Sequence, residues 1–376
     1  MTMPIYLDYS ANTPIDPSVL ERYCQLEQSF PGNPNSHHAL GRAAQEELTK
    51  ITASIADLLC VQPGEIIYTS GASESNNTAI KGTLRALRHH GRHIISSPLE
   101  HPSVSGCLTA LQEQGYEIDL VGIKRDGTID LAHLSELLRK DTVLVTVCAV
   151  DSELGTIQPV SEISELLKQY PNCRLHVDAT QAVGKIPLDF AGADTVSLTA
   201  HKFYGPNGVG LLLKRQNLVL EPLIYGGTST TLYRSGTPTL ALDGAFEAAL
   251  RLAVEHQEER TARVSSLNRR LRDALSAYPK VRLNSPVEAV PHILNLSVQG
   301  VKGAAFQHAL DDEGVCVSVK SACSVEGLPS RAVFAVSRDR KTALSSFRIS
   351  LSHLTTEKEL SRFLESFDRC YDALAQ

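Results

Sequence analysis

Several kinds of sequence are missing from this 376-residue chain, and each gap closes off a class of function. No apolar run suggests a membrane span. The opening MTMPIYLDYS has no basic region leading through an apolar stretch to a small-residue cleavage site, so a secretory leader is not expected. Positive charge is not in excess: 36 Lys and Arg face 42 Asp and Glu, a net charge of −6 that offers no general attraction to nucleic acid. The cysteines, at 24, 60, 107, 148, 173, 316, 323 and 370, never fall into CxxC, so no metal site or thioredoxin-like pair is expected. Free thiols point to a reducing compartment, and a cytoplasmic location is the expectation. Internal repeats and low-complexity linkers are also lacking.

What is present suits a soluble globular enzyme: 42% hydrophobic and 21% charged residues, with 24 Gly and 18 Pro. The length exceeds what one core usually serves, so a large domain with a smaller companion is expected. Short β-branched runs at 65–70, 93–97, 142–150, 174–179, 195–199 and 208–214 alternate with amphipathic stretches such as ESNNTAIKGTLRALRHH, HPSVSGCLTALQEQ and SEISELLKQY. This is the pattern of βαβ units, and strands apolar on both faces call for helices on both sides of a mainly parallel central sheet. The fold class is therefore α/β. Residues 240–278 have the spacing of one long helix or two joined, and beyond them HILNLSV, a helix near 303–313, VCVSV, a polar stretch near 320–343, SFRISLS and a final helix suit a smaller α+β domain.

Three segments carry candidate chemistry. In TVSLTAHKFYGPNGVG a strand runs into His201, Lys202 and a Gly/Pro turn, which places a lysine at a strand's mouth where ligands bind in such sheets and where Schiff-base chemistry is open to it. Taken alone, Lys202 reads as one more exposed lysine. HVDATQAVG ends a second strand at Asp178, where a carboxylate can pair with a protonated pyridine nitrogen, and Gln181 can reach a ring hydroxyl. TSGASESNN follows a strand and opens a helix, so the amides around Gly71, Ala72 and Ser73 can cradle a phosphate, a simple helix cap being the plain alternative. Together these describe a site for pyridoxal 5'-phosphate (PLP). Cys323, in VSVKSACSVEGLPSR, has polar neighbours and a Ser/Gly/Pro-rich surrounding expected to be a mobile loop, with Lys320 nearby to favour the thiolate. Cys60, Cys148, Cys173 and Cys316 read instead as small buried apolar residues.

The ordered set YLDYSANTP, GNPNSHHALG, TSGASESNN, LEHPSV, HVDATQAVGK, AHKFYGPNGVG, RSGTP, KSACSVEGLPS and FRISLS resembles the cysteine desulfurases of the bacterial housekeeping and nitrogen-fixation type, within the PLP-dependent class V aminotransferases, over nearly the whole chain. The resemblance implies fold type I, with a large PLP-binding domain at 15–255 and a small domain at 1–14 plus 256–376 carrying the mobile cysteine loop. It implies that Lys202 holds the cofactor, Asp178 pairs with the pyridine nitrogen, Gln181 contacts the ring hydroxyl, and His101 stacks on the ring and moves protons. Phosphate contacts are implied for Ala72, Ser73, Thr199 and His201, with Thr237 reaching across from a second subunit of a homodimer. Arg348 and Asn33 are implied to bind the substrate, L-cysteine, and Cys323 to take its sulfur as a persulfide for a protein acceptor serving tRNA thiolation, cofactor or iron–sulfur synthesis.

The match has departures. Ser152 stands where the family usually carries an Asn that meets the ring oxygen, and water or Asp151 is expected to fill the gap. Ser73 replaces Thr, Lys320 replaces Gly and His353 replaces Arg. The chain stops soon after its last expected helix, so an acceptor other than an iron–sulfur scaffold docked on a longer tail is expected. Other readings are a class V lyase acting on cysteine or selenocysteine, and a sulfur-relay partner without turnover. Ordinary transamination gives the cysteine no task.

Overall fold

The computed structural model describes residues 4–320 and 328–375. After a two-residue strand, β1 (Ile5–Tyr6), seven strands form one sheet: β2 (Ile66–Thr69), β3 (His93–Ser96), β4 (Glu117–Leu120), β5 (Thr142–Cys148), β6 (Arg174–Asp178), β7 (Thr195–Thr199) and β8 (Gly210–Lys214). Their order is β2-β8-β7-β6-β5-β3-β4, and β8 alone runs against its neighbours. The sheet is therefore mainly parallel and flanked by helices, as the two-faced strands require. The alternation is visible residue by residue. Ile66, Tyr68, Ile95, Val145, Leu211 and Leu213 join one apolar cluster, while Ile94 and Leu144 join a second and Ile67 and Leu212 a third.

A separate core lies in the last third of the chain. β9 (Val281–Leu283), β10 (Ile293–Val298) and β12 (Ser346–Ser350) form an antiparallel sheet in the order β12-β10-β9, while β11 (Val315–Cys316) pairs in parallel with β1. Helices Gln257–Leu275, Gly303–Asp312 and Glu357–Leu374 pack on it. Ile5 and Leu7, from the start of the chain, are buried in this same core, and Asp8 bridges to Ser350. Phe367 sits among Tyr278, Phe306, Phe363 and Tyr371 with ring centroids 5.0, 5.1, 5.9 and 6.3 Å away.

The stretch at 240–278 is two joined helices, one of the two forms its spacing allows: Leu240–Glu255 and Gln257–Leu275, the second opening with Glu258 and Glu259 at its positive dipole end. Other elements differ from their sequence expectation. VCVSV is a strand only over Val315–Cys316, because Ser318 crosses to bridge Arg348 instead. The polar stretch near 320–343 contains helices Arg331–Ser337 and Arg340–Leu344. β4, with the burial of an edge strand and the polar sequence EIDL, has no apolar signal to mark it. Helix Pro17–Ser29 was marked after all by Asp16, whose side chain accepts the Ser18 N–H, and by Pro17 at the first position. Cys60 is exposed rather than buried: it turns the chain after helix Ala39–Leu58 with φ 53°. No described helix is long and apolar enough to cross a membrane.

Replacing Phe367 with Ala empties the centre of the second core. The expected cost is about 3–5 kcal/mol, seen as a lower urea midpoint for the transition of that region.

Candidate active site

Strands that run the same way deliver their following loops to one edge of the sheet. Here those loops enclose a cavity of about 320 Å³ lined by, among others, Ala72, Ser73, His101, Asp178, Lys202 and Arg348. Ser152, Gln181, Thr199 and His201 also line it, with Ser10 and Ala11 from the N-terminal segment.

One wall is the turn between β2 and helix Ala72–Ala86. Gly71 there has φ 147° and ψ 177°, a conformation essentially reserved for glycine. As the residue before the helix it has no side chain to cap the first turn, and Gly71, Ala72 and Ser73 line the cavity beside Thr199. Beneath it, β8 approaches so closely that a Cβ on Gly210 would lie 2.7 Å from Gly71 Cα. His201 Nδ1 is 3.1 Å from Thr199 Oγ1, and burial first, then Lys202, lowers its pKa to about 4, so the ring is neutral.

Opposite lies Asp178, the last residue of β6 and only 5% exposed. Its Oδ1 accepts the Thr180 N–H at 3.0 Å and its Oδ2 accepts Asn76 Nδ2–H at 2.8 Å. Gln181 Nε2 donates to the Ser10 carbonyl at 2.9 Å, and its Oε1 accepts from Lys185 at 2.7 Å. Lys185 is buried, and burial followed by repulsion from Lys202 and Arg348 brings its pKa down to about 7. Lys202 follows β7 in a single tight turn, and its Nζ donates to the carbonyls of Ser10 at 2.8 Å and Ala11 at 2.7 Å.

At the far end Arg348, 1% exposed on β12, donates from Nη2 to Asp8 Oδ1 at 2.8 Å and from Nη1 to the Ser152 carbonyl at 2.8 Å. Its Nε is buried without a partner among the described residues and can serve a carboxylate. Ser152 thus meets this arginine through its backbone. Asp151 does not fill the gap considered for it, because its Oδ1 accepts the N–H groups of Glu153 and Leu154 within its own turn. His101 caps helix Pro102–Gln112, its Nδ1 accepting the Ser103 N–H at 3.1 Å, and burial lowers its pKa.

Two expected site residues lie away from this cavity. Thr237 is exposed and outside the lining, and Asn33 is exposed with its Oδ1 accepting the Asn35 N–H at 2.9 Å. Cys323 lies outside the described residues. The chain on either side of it, at Lys320 and Leu328, lines a groove shared with Glu100, His101, Ser152 and Arg331. Sequence reasoning missed Asp8, Asn76, Glu100 and Lys185, all of which stand inside motifs that were singled out for other members. Glu100 is fully buried beside Asp178 and Asp151. Its Oε1 accepts from Ser97 Oγ and the Cys148 N–H, its Oε2 has no partner, and burial raises its pKa to about 8.

A mainly parallel sheet with a lysine, a carboxylate and an uncapped helix start at one edge defines a class, and the chain belongs to the class V aminotransferase family, whose sequence pattern matches residues 5–363. It is 38% identical, over 98% of its length and 97% of the relative's, to the NifS/IcsS protein homolog of Lactobacillus delbrueckii subsp. bulgaricus. It is 37% identical, over 100% of its length and 96% of the relative's, to the cysteine desulfurase IscS of Dictyoglomus turgidum. A solved structure described as a NifS-like protein superposes with a TM-score of 0.93 at 32% identity, covering 99% of this chain and 100% of that one. SspA in complex with cysteine does so at 0.81 and 30%, covering 93% and 99%. Within its class the chain thus stands with the NifS- and IscS-type cysteine desulfurases, of PLP fold type I. PLP is the cofactor of this family, and the residues present fit it: the uncapped turn at Gly71 with Ser73, Thr199 and His201 suits a phosphate, and the buried Asp178 carboxylate suits a protonated ring nitrogen.

The Glu100 carboxyl carries a proton in the folded chain up to about pH 8 but would lose it near pH 4.3 when unfolded, so it draws stability down as pH rises through that window. Glu100→Gln is expected to flatten the fall in urea stability between pH 6.5 and 8. A slope remains from Asp151 and Asp243, each raised to about 7, while Lys185, lowered to about 7, acts the opposite way above that pH in wild type and variant alike. The lowered pKa values of His176, near 4, and His292, near 3, also act the opposite way, but below pH 6.5.

Proposed function

We propose that this chain is a PLP-dependent cysteine desulfurase that converts L-cysteine to L-alanine and takes the sulfur on Cys323. The observation that carries this reading is the convergence of Lys202, Asp178, His101 and Arg348 on one cavity, with Lys320 and Leu328, on either side of Cys323, lining a groove that shares His101 and Ser152 with it. Covalent reach supports it, since Cys323 is three positions along from Lys320, at most roughly 11 Å of extended chain.

When bound, the cofactor supplies an electron sink that acidifies the substrate Cα–H and activates the neighbouring C–S bond. Lys202 would anchor it, and its Nζ is the group that would take the Cα proton of the bound substrate. Asp178 would keep the ring nitrogen protonated. Arg348 grips the substrate carboxylate, its guanidinium already aimed by Asp8 and the Ser152 carbonyl. The Cys323 thiolate attacks the substrate sulfur; the new S–S bond forms as the Cβ–S bond breaks, and the pair left on Cβ is protonated to the methyl group of alanine. Cysteine and one enzyme thiol thereby become alanine and one enzyme persulfide, which a protein acceptor consumes.

Two further parts belong to this reading. Thr237 completes the phosphate site of a second subunit in a homodimer. The exposure of Tyr225 (69%) and Leu232 (74%) on the same segment supports this, since a partner would cover them. We place the activity in the cytoplasm, in keeping with the free cysteines among the described residues.

With L-cysteine, the wild-type protein is expected to form alanine and sulfane sulfur in equal amounts. Cys323→Ala should retain PLP and bind L-cysteine but form alanine about 10²-fold or more slowly and carry no persulfide, whereas Lys202→Ala should lose covalent hold of the cofactor. Alanine and sulfide release at the wild-type rate by Cys323→Ala would sink the proposal.

A further inference from the structure

Buried polar groups that the reaction leaves unused meet at one amide. Asn76, on helix Ala72–Ala86, is 0% exposed. Its Nδ2 lies 2.8 Å from Asp178 Oδ2 and 2.9 Å from Ser103 Oγ, and its Oδ1 lies 3.0 Å from His176 Nε2. Ser103 Oγ is 2.8 Å from His101 Nδ1, and His176 Nδ1 is 2.9 Å from Thr195 Oγ1.

The donor and acceptor roles in this chain are determined by chemistry alone. A carboxylate only accepts, so the amide nitrogen must face Asp178, and its second hydrogen goes to Ser103 Oγ. The Ser103 hydroxyl, having accepted there, gives its own hydrogen to His101 Nδ1, which also takes the Ser103 backbone N–H. His101 is then unprotonated at Nδ1 and carries its hydrogen on Nε2. On the other side Asn76 Oδ1 only accepts, so His176 donates from Nε2 and accepts from Thr195 at Nδ1. Complete burial keeps His176 neutral, in line with this assignment.

We propose that Asn76 is a positioning residue that sets the hydrogen-bond polarity of the site, holding Asp178 in place and turning the Ser103 hydroxyl onto His101 Nδ1, where it joins the Ser103 backbone N–H in holding the Nε2–H tautomer. His101 therefore meets the cofactor and substrate as an N–H donor, and Nδ1 takes no part as a base. The inference rests on the reading of Asp178 and His101 as cofactor partners. Asp178, Lys202 and Arg331 are the charged groups that face His101, and burial outweighs the attraction of Asp178 to keep the ring neutral.

Histidine 15N NMR on the full-length, PLP-loaded protein reads the tautomers directly, with the His101 signals assigned by their loss in His101→Gln. Wild type should show an unprotonated Nδ1 and a protonated Nε2. In Asn76→Leu the Ser103 hydroxyl loses the hydrogen that turns it toward His101, while the Ser103 backbone N–H still meets Nδ1, so the tautomer should stay and the His101 titration midpoint should rise by about half a pH unit or more. Ser103→Ala alone, which keeps the Asn76–Asp178 bond should the other variant not fold, should raise it as much, and the double variant should add nothing further, since both act through one hydroxyl. A protonated Nδ1 in wild type, an unmoved midpoint in either single variant, or additive shifts in the double variant would overturn the proposal. None of these readouts needs turnover, so they stand apart from any failure of the wild-type protein to release alanine.

Discussion

Common strand direction is the constraint from which the rest follows. With β8 alone reversed, the carboxyl ends of β2, β3, β5, β6 and β7 all open at one edge, so residues far apart in sequence arrive together without any long excursion. Register refines the placement. Thr69 and Thr199 both stand opposite Gly210 at the level of the Gly71 turn, while Asp178 stands between Cys148 and Ser197, two residues deeper along the sheet. The bareness of Gly210 lets that level be tight, because a methyl group there would collide with the turn at Gly71.

The second constraint is the N-terminal segment. Between β1 and residue 13 the chain passes from the second core to the cavity, and its groups hold three site residues: the Ser10 carbonyl receives Gln181 and Lys202, the Ala11 carbonyl receives Lys202, and Asp8 receives Arg348. A buried arginine and a lysine in a dry pocket each need such acceptors. The motif YLDYSANTP is thus part of the site by what its backbone accepts.

What could be read from the sequence was whatever is local. Apolar runs marked the central strands, and Lys202 and Asp178 were legible because each ends such a run. The sense of the turn at Gly71 was legible from Gly followed by small residues. Roles that depend on contact through space were not. Asn76 and Glu100 look like ordinary helix or loop residues until β6, Ser103 and the end of β5 are laid beside them. β4 stayed hidden because an edge strand need not be apolar, and Cys60 was misread because a small cysteine can equally end a helix on the surface. Asp151, considered as a stand-in for the missing amide beside Ser152, turned out to serve its own turn.

The pairing of the two chain ends has a consequence for biosynthesis. Ile5 pairs with Val315, Asp8 with Ser350, and the Ser10 N–H binds Ser350 Oγ at 3.0 Å. Residues 5–10 can therefore dock only once the strand at 346–350 has been made, and until then the Ser10 and Ala11 carbonyls and the Asp8 carboxylate are not held at the pocket. Closing so long a span is slow compared with forming the βαβ units. The sheet can thus form ahead of its pocket, which is completed for the vitamin-derived group only when these distant segments meet.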